Sequence, residues 1–475
     1  MSTQQPKDEK DLDDTRYGDE IHAAVAAVRG DSQVSEEKVS EALVSIFSWR
    51  NYSVYLLTAW VFTGFSIMNS FFNLYMRAVG WDYAALGVVV AISSSLSAVF
   101  RVVGGYVGDT MNRKTLSVVA MLCMAGYFLL IGLFTEPIMI VLALLSYATT
   151  DIAKSGSSAY ILDNTPREHS GLALSLFHAG RVFGVVTLVA FNLMVPVFGF
   201  PVSFRLMSIV AGISLVICSA VRTVYLEPSR VESRPREVAV WRDFVSEMWH
   251  AIKTLARVLP GALAIIMIDA FSDALFNFGA LIYANESLGV SITGIGIMLA
   301  VTLIISVPLL LKIGRMTDRF GVKRTALIVY SMMPVCTGLL FVAPHFPLWA
   351  SESVMLQAES IIDGLGAVFT TAFIAIVLKR INDALWWLIV TTMIQKKLPH
   401  ADSAKFLAMF WFIIYVFSSA GPFVAGLIFT YFSQPTLFAV IFVLNIIILL
   451  SIGMNGLVNE DAVRENATNA HVSAP

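Results

Sequence analysis

Charged and amide side chains within long apolar runs are the residues of this chain whose types and spacing could do chemistry. Asp269, Asp273 and Asn277 recur every four residues in one run, so on a helix they form a single polar stripe. Asp151 and Lys154 lie three apart in a second run, and Lys379, Arg380 and Asp383 crowd together in a third. His178 and Arg181 share a fourth, and Asn69, Asn73 and Arg77 a fifth. A charge at mid-depth in an apolar layer costs at least about 2.5 kcal/mol even on lenient scales, so each one needs a partner or a task.

The chemistry these types offer is proton exchange by carboxylates and capture of a charged solute by basic and amide groups. No nucleophile–base constellation or metal-ligand cluster is visible, and no Gly-x-x-x-x-Gly-Lys-Ser/Thr phosphate loop, which argues against ATP drive and against an enzyme. Mutual pairing is the competing explanation: Asp151 with Lys154, or Asp383 with Lys379, as structural glue. Asp269 and Asp273 differ because their own run supplies no cation, and one of them is the expected site of proton coupling. His178 titrates in a useful range but is more simply read as a hydrogen-bonding group within the bundle. Mixed signs at one depth favour a charged solute, an organic anion or a zwitterion.

The chain that carries these residues is 475 residues long, 57% hydrophobic and 14% charged, with a mean hydropathy of +0.74. That balance excludes a water-soluble surface, and runs near the roughly 20-residue spanning length predict an all-α, multi-pass membrane protein. Twelve spans are expected, near 52–78, 84–108, 116–134, 138–162, 171–195, 203–222, 260–284, 291–312, 325–343, 371–395, 405–432 and 436–454. Cys123, Cys218 and Cys336 all fall inside apolar runs and read as small hydrophobes. Residues 1–50 form an acidic arm ending in an amphipathic interfacial helix from Ser35. They contain no short apolar stretch with a cleavage site, so the N-terminus is expected to be retained.

Two six-span bundles are expected, 51–222 and 260–455, joined by a linker at 223–259 whose Trp241, Trp249 and Lys253 suggest a second interfacial helix; 456–475 is a tail. Lys and Arg concentrate in the loops after even-numbered spans, which puts those loops and both termini in the cytoplasm of a plasma or inner membrane. The halves repeat. Superposing Asp109 on Asp318 also superposes Gly87 on Gly296, Gly80 on Gly289 and Lys114 on Lys323. Registry of Pro166 with Pro399 leaves 345–370 as an outward-facing acidic insertion; the alternative makes that segment the tenth span. Asn285-Glu286-Ser287 fits a glycosylation acceptor.

Gly105-Tyr-Val-Gly-Asp109-Thr-Met-Asn-Arg113-Lys114 and its echo, Gly314-Arg-Met-Thr-Asp318-Arg319-Phe-Gly-Val-Lys323-Arg324, close the second and eighth spans. With twelve spans and a long central loop, this pair resembles the signature loops of the major facilitator superfamily, over about 50 to 455. The first copy departs at Thr110 and Asn112; Asn at the second position suits a turn that needs positive φ. The resemblance implies a fold of two pseudo-symmetric six-helix halves and alternating access by rocking of those halves. Gly105, Asp109, Arg113, Lys114, Gly314, Asp318, Arg319, Lys323 and Arg324 would form a cytoplasmic gate, and Arg101 would support that gate rather than touch solute. The Pro-containing run typical of drug exporters is missing from Gly180–Gly184; a Gly421-Pro422 pair occurs in the eleventh span instead.

The expected function is secondary active transport, proton-coupled, of a small charged or amphipathic organic solute. The solute and the bilayer are the expected partners; no nucleic acid and no cofactor beyond a proton gradient is called for, and a monomer suffices. Drug or metabolite efflux, a non-transporting receptor and a lipid translocase are the competing readings.

Overall fold

The computed structural model describes residues 50–110, 112–154, 160–161, 164, 176–177, 179–228, 249, 252–253, 260–320, 322–397 and 403–455. The N-terminal arm and its interfacial helix, most of the linker and the tail lie outside these residues. So do His178 and the side chains of Lys154, Gly105, Asp109, Gly314, Asp318 and Arg319.

The first half comprises α1 (Arg50–Ser66), a 3-10 turn (Ile67–Phe71), α2 (Phe72–Ala78), α3 (Tyr83–Thr110), α4 (Arg113–Leu133), α5 (Pro137–Lys154), α6 (Phe183–Phe198) and α7 (Phe200–Tyr225). The second comprises α8 (Pro260–Glu286), α9 (Ile292–Phe320), α10 (Val322–Tyr330), α11 (Met332–Val342), α12 (Glu352–Ile361), α13 (Thr371–Lys397), α14 (Ser403–Tyr431) and α15 (Gln434–Asn455). Helices prevail because a hydrocarbon layer offers the backbone no partner but itself.

Ten helical stretches among the described residues are long and apolar enough to cross a membrane, against the twelve spans expected. The two shortfalls have physical reasons. The described apolar part of the fourth span, Pro137–Ile152, is short. α13 has 27 residues, roughly 40 Å at 1.5 Å per residue, but carries Lys379, Arg380 and Asp383 at its centre. The segment between α11 and α13 holds the short α12. Its Glu359 accepts from the backbone N–H of Gly364 at 2.9 Å and of Gly366 at 2.8 Å.

The repeat shows in the backbone. Gly80 and Gly289, superposed by the sequence, both take positive φ (+97° and +68°) and end the first helix of their half. Gly87 and Gly296 are also equivalent. A Cβ on Gly87 would lie 2.6 Å from the Pro422 carbonyl of α14, and one on Gly296 would overlap the Asn192 amide of α6. The two halves therefore meet through α3 against α14 and α6 against α9.

Asn112 corrects an expectation. Its φ is −60°, and its side chain accepts from the Lys114 backbone N–H at 2.9 Å, so it caps α4 rather than supplying a left-handed turn. α3 itself continues as helix to Thr110. The buried Arg222, unremarked in the sequence, ties three helices: it donates to the Thr58 hydroxyl at 2.8 Å and to the Ser117 and Tyr55 carbonyls at 3.3 Å.

One end of the bundle, here the basic end, carries Arg113, Lys114, Lys323 and Arg324; the acidic end carries Asp82, Glu136 and Glu286. At the acidic end the halves are tied by side chains. Arg77 pairs with Glu286 at 2.9 Å, Tyr83 donates to Glu286, and Gln434 donates to the Tyr83 hydroxyl at 2.8 Å. Asn285 donates to the Val290 carbonyl at 2.9 Å and is half-buried, which engages the amide that a glycan would need.

Candidate functional site

A cavity of about 500 Å³ lies between the halves, bounded by α2, α3, α4, α5, α8, α13 and α14. Its size suits an organic solute rather than a bare ion. Of the residues singled out in the sequence, Asn69, Asn73, Asp151, Asp269, Asp273, Asn277 and Asp383 line it. The four-residue stripe of α8 therefore faces inward as its period required. Lys379 stands directly behind the wall.

Lys379 is fully buried and donates to Asp273 at 2.5 Å and to Asp383 on its own helix. Its ammonium also lies 5.0 Å from the Phe276 ring centroid. One cation thus holds two carboxylates, and buried charges persist only when so compensated. The expected pair Asp383–Lys379 is present, and Asp273 finds on α13 the cation its own helix lacks.

Asp269 is held differently. Tyr330 of α10 donates to one carboxylate oxygen at 2.7 Å, and the Trp386 indole of α13 donates to the other at 2.6 Å. Behind Tyr330 the network continues through Asn445 (3.2 Å) to Ser272 (3.1 Å). Among the described residues no Lys or Arg lies within ion-pair distance of Asp269.

On the opposite wall Asp151 pairs with Arg101 of α3 at 3.4 Å. The guanidinium of Arg101 lies 3.8 Å from the Tyr415 ring centroid of α14, spanning the two halves. This corrects its assignment as a gate support: Arg101 is on the cavity wall, because α3 runs past the cavity before reaching the basic end.

Two residues expected at the site stand elsewhere. Arg181 is exposed, in a 3-10 turn (Gly180–Val182), and does not line the cavity; Gly180 takes the inward position against Trp60 and Thr63. Arg380 is packed inside the second half, with its Nε unpartnered among the described residues. Arg113, Lys114, Lys323 and Arg324 sit at the basic end, away from the cavity.

The sequence reading missed the aromatic walls. Trp386, Trp387, Trp411, Tyr415, Tyr127 and Tyr147 all line the cavity. Trp387 and Trp411 stack with ring centroids 3.7 Å apart. Three tryptophans inside two spans, two of them near the middle of α13, were the available signal, since indoles otherwise favour the membrane–water boundary.

Two helical halves closing around a polar, aromatic cavity are the architecture of a secondary transporter. The profile of the Major Facilitator Superfamily matches the chain twice, over residues 54–268 and 262–471. The chain belongs to that family and is an integral, multi-pass membrane transporter. Among solved structures it resembles a mutant form of the nucleoside transporter NupG, at 14% identity and a TM-score of 0.64, with 84% of this chain and 98% of that one covered. A POT family transporter in complex with 5-aminolevulinic acid gives 10% identity and a TM-score of 0.62, covering 84% and 94%. A bacterial homologue of the human lysosomal transporter Spinster, in an inward-facing and unoccupied conformation, gives 14% and 0.55, covering 85% and 94%. Comparison with curated protein sequences gives no match.

Proposed function

We propose that this protein is a proton-coupled transporter of a small charged, amphipathic organic solute, working by alternating access. It acts as a monomer, needs no cofactor beyond the proton gradient, and keeps its basic end in the cytoplasm of a plasma or inner membrane. The observation that carries the proposal is the pairing pattern in the cavity. Asp273 and Asp383 share Lys379, whereas Asp269 has hydrogen-bond donors and, among the described residues, no cation within ion-pair distance. Neutralising Asp269 leaves no buried cation stranded, so protons can come and go there without breaking an ion pair. Cavity size and aromatic walls support an organic cargo.

The test is uptake into vesicles reconstituted with the full chain under an imposed pH gradient, over a broad panel of charged and neutral solutes. Gradient-driven accumulation of a charged organic solute is expected. Asp269→Asn should abolish accumulation while sparing solute exchange across the membrane at equal pH. Accumulation by the Asn variant that still follows the gradient would remove Asp269 from coupling, and a wild type that moves no solute would overturn the transporter reading.

A further inference from the structure

Each wall of the cavity exposes one sign of charge far more than the other, because the counter-ion is largely covered. On the first-half wall the Arg101 side chain is 39% exposed while its partner Asp151 is 4% exposed. On the second-half wall the order is reversed. Asp273 is 24% and Asp383 21% exposed, while Lys379, which holds both, is 0% exposed. A solute in the cavity therefore meets a guanidinium on one side and two carboxylates on the other. The compensating charges are covered, Asp151 almost wholly and Lys379 wholly, and they lower the cost of each pole.

The helices set the spacing. Arg101 lies 18 residues into α3 from the acidic end, and Asp273 lies 13 residues from that end on α8. At 1.5 Å per residue the poles are offset along the bundle by roughly 8 Å. Trp387 and Trp411 line the same cavity, and Tyr415 lies beneath the guanidinium.

We propose, building on the transporter reading above, that the cargo is a zwitterion with an apolar or aromatic body. Its ammonium lies against Asp273 and Asp383, its carboxylate or other anionic group lies against Arg101, and its body lies against the tryptophans. A guanidinium can take a carboxylate in two parallel hydrogen bonds, and an ammonium can donate to both carboxylates at once. Since the poles belong to different halves, only a solute carrying both charges pulls the halves together. A singly charged solute leaves one pole unanswered.

Two matched trios test this on the purified full chain by calorimetry. One is L-phenylalanine, phenethylamine and 3-phenylpropionate. The other is the dipeptide Ala-Phe, its N-acetylated form and its C-terminal amide, which brackets the longer spacing. In at least one trio the zwitterion should bind about tenfold or more tightly than either singly charged member. Arg101→Gln should collapse the ratio between zwitterion and amine-only form towards one, with Arg101→Lys restoring part of it. Asp273→Asn, or Asp383→Asn where the first variant folds poorly, should collapse the ratio between zwitterion and anion-only form.

Singly charged members that bind as tightly as the zwitterions, or six compounds that all fail to bind, would overturn the inference. Gradient-driven uptake of a singly charged solute would overturn it too, while leaving the transporter reading standing; only a protein that moves no solute at all overturns both.

Discussion

At the scale of residues, the two kinds of carboxylate in the cavity do different work. Lys379 has no exposed surface and bridges Asp273 and Asp383. Removing it leaves two partly covered carboxylates without their cation, and breaking such an arrangement costs up to about 3–5 kcal/mol. Lys379→Ala is expected to lower the thermal midpoint markedly in detergent, and adding Asp273→Asn should recover much of the loss. A Lys379→Ala variant that melts with the wild type would show that the triad contributes no stability. The charges themselves could be read from the sequence, since Asp, Lys and Arg stand out in any apolar run. Beyond the Asp383–Lys379 pair on one helix, their partners could not. Asp273 meets Lys379 across 106 residues, and Asp151 meets Arg101 on another helix. Spacing along one helix says which side chains share a face, not which neighbouring helix that face meets. The indoles were overlooked for a related reason: an aromatic ring in a span suits lipid, core and cavity equally well.

Helices meet across the two halves where side chains are absent. Gly87 of α3 lies against Pro422 and Gly426 of α14, with an added Cβ only 2.6 Å from the Pro422 carbonyl and 3.1 Å from the Gly426 Cα. Both obstructions are backbone, so relief requires the helices to part. Gly87→Val is therefore expected to loosen the acidic end. In a cysteine-free background, cross-linking between cysteines at 83 and 434, whose native side chains bond at 2.8 Å, should fall severalfold; an unchanged yield would show that the helices pass at that point without depending on glycine. The equivalence of Gly87 with Gly296 and of Gly80 with Gly289 was visible in the sequence because glycine at a close crossing or a left-handed turn has few substitutes. The 3-10 interruption at Ile67–Phe71 was not, since Ile-Met-Asn-Ser-Phe contains neither Gly nor Pro to mark it. Asn112 shows the same limit. Its type fits both a left-handed turn and a helix cap, and only the backbone decides.

For the molecule as a whole, two pseudo-symmetric halves enclose a cavity whose acidic end is shut by Arg77, Tyr83, Glu286 and Gln434. Alternating access, as proposed above, requires that closure to give way as the basic end, where the two repeated stretches lie, comes together. The two ends must move in opposite senses. Spin labels at Asp82 and Ser433 report the acidic end, and labels at Arg113 and Arg324 the basic end. Distances measured in lipid nanodiscs, with and without a bound solute and at two pH values, test alternating access most directly. The expected result is two populations at each end whose weights shift together, the acidic-end distance lengthening as the basic-end distance shortens. A single distance at both ends, unmoved by solute and pH, would contradict it.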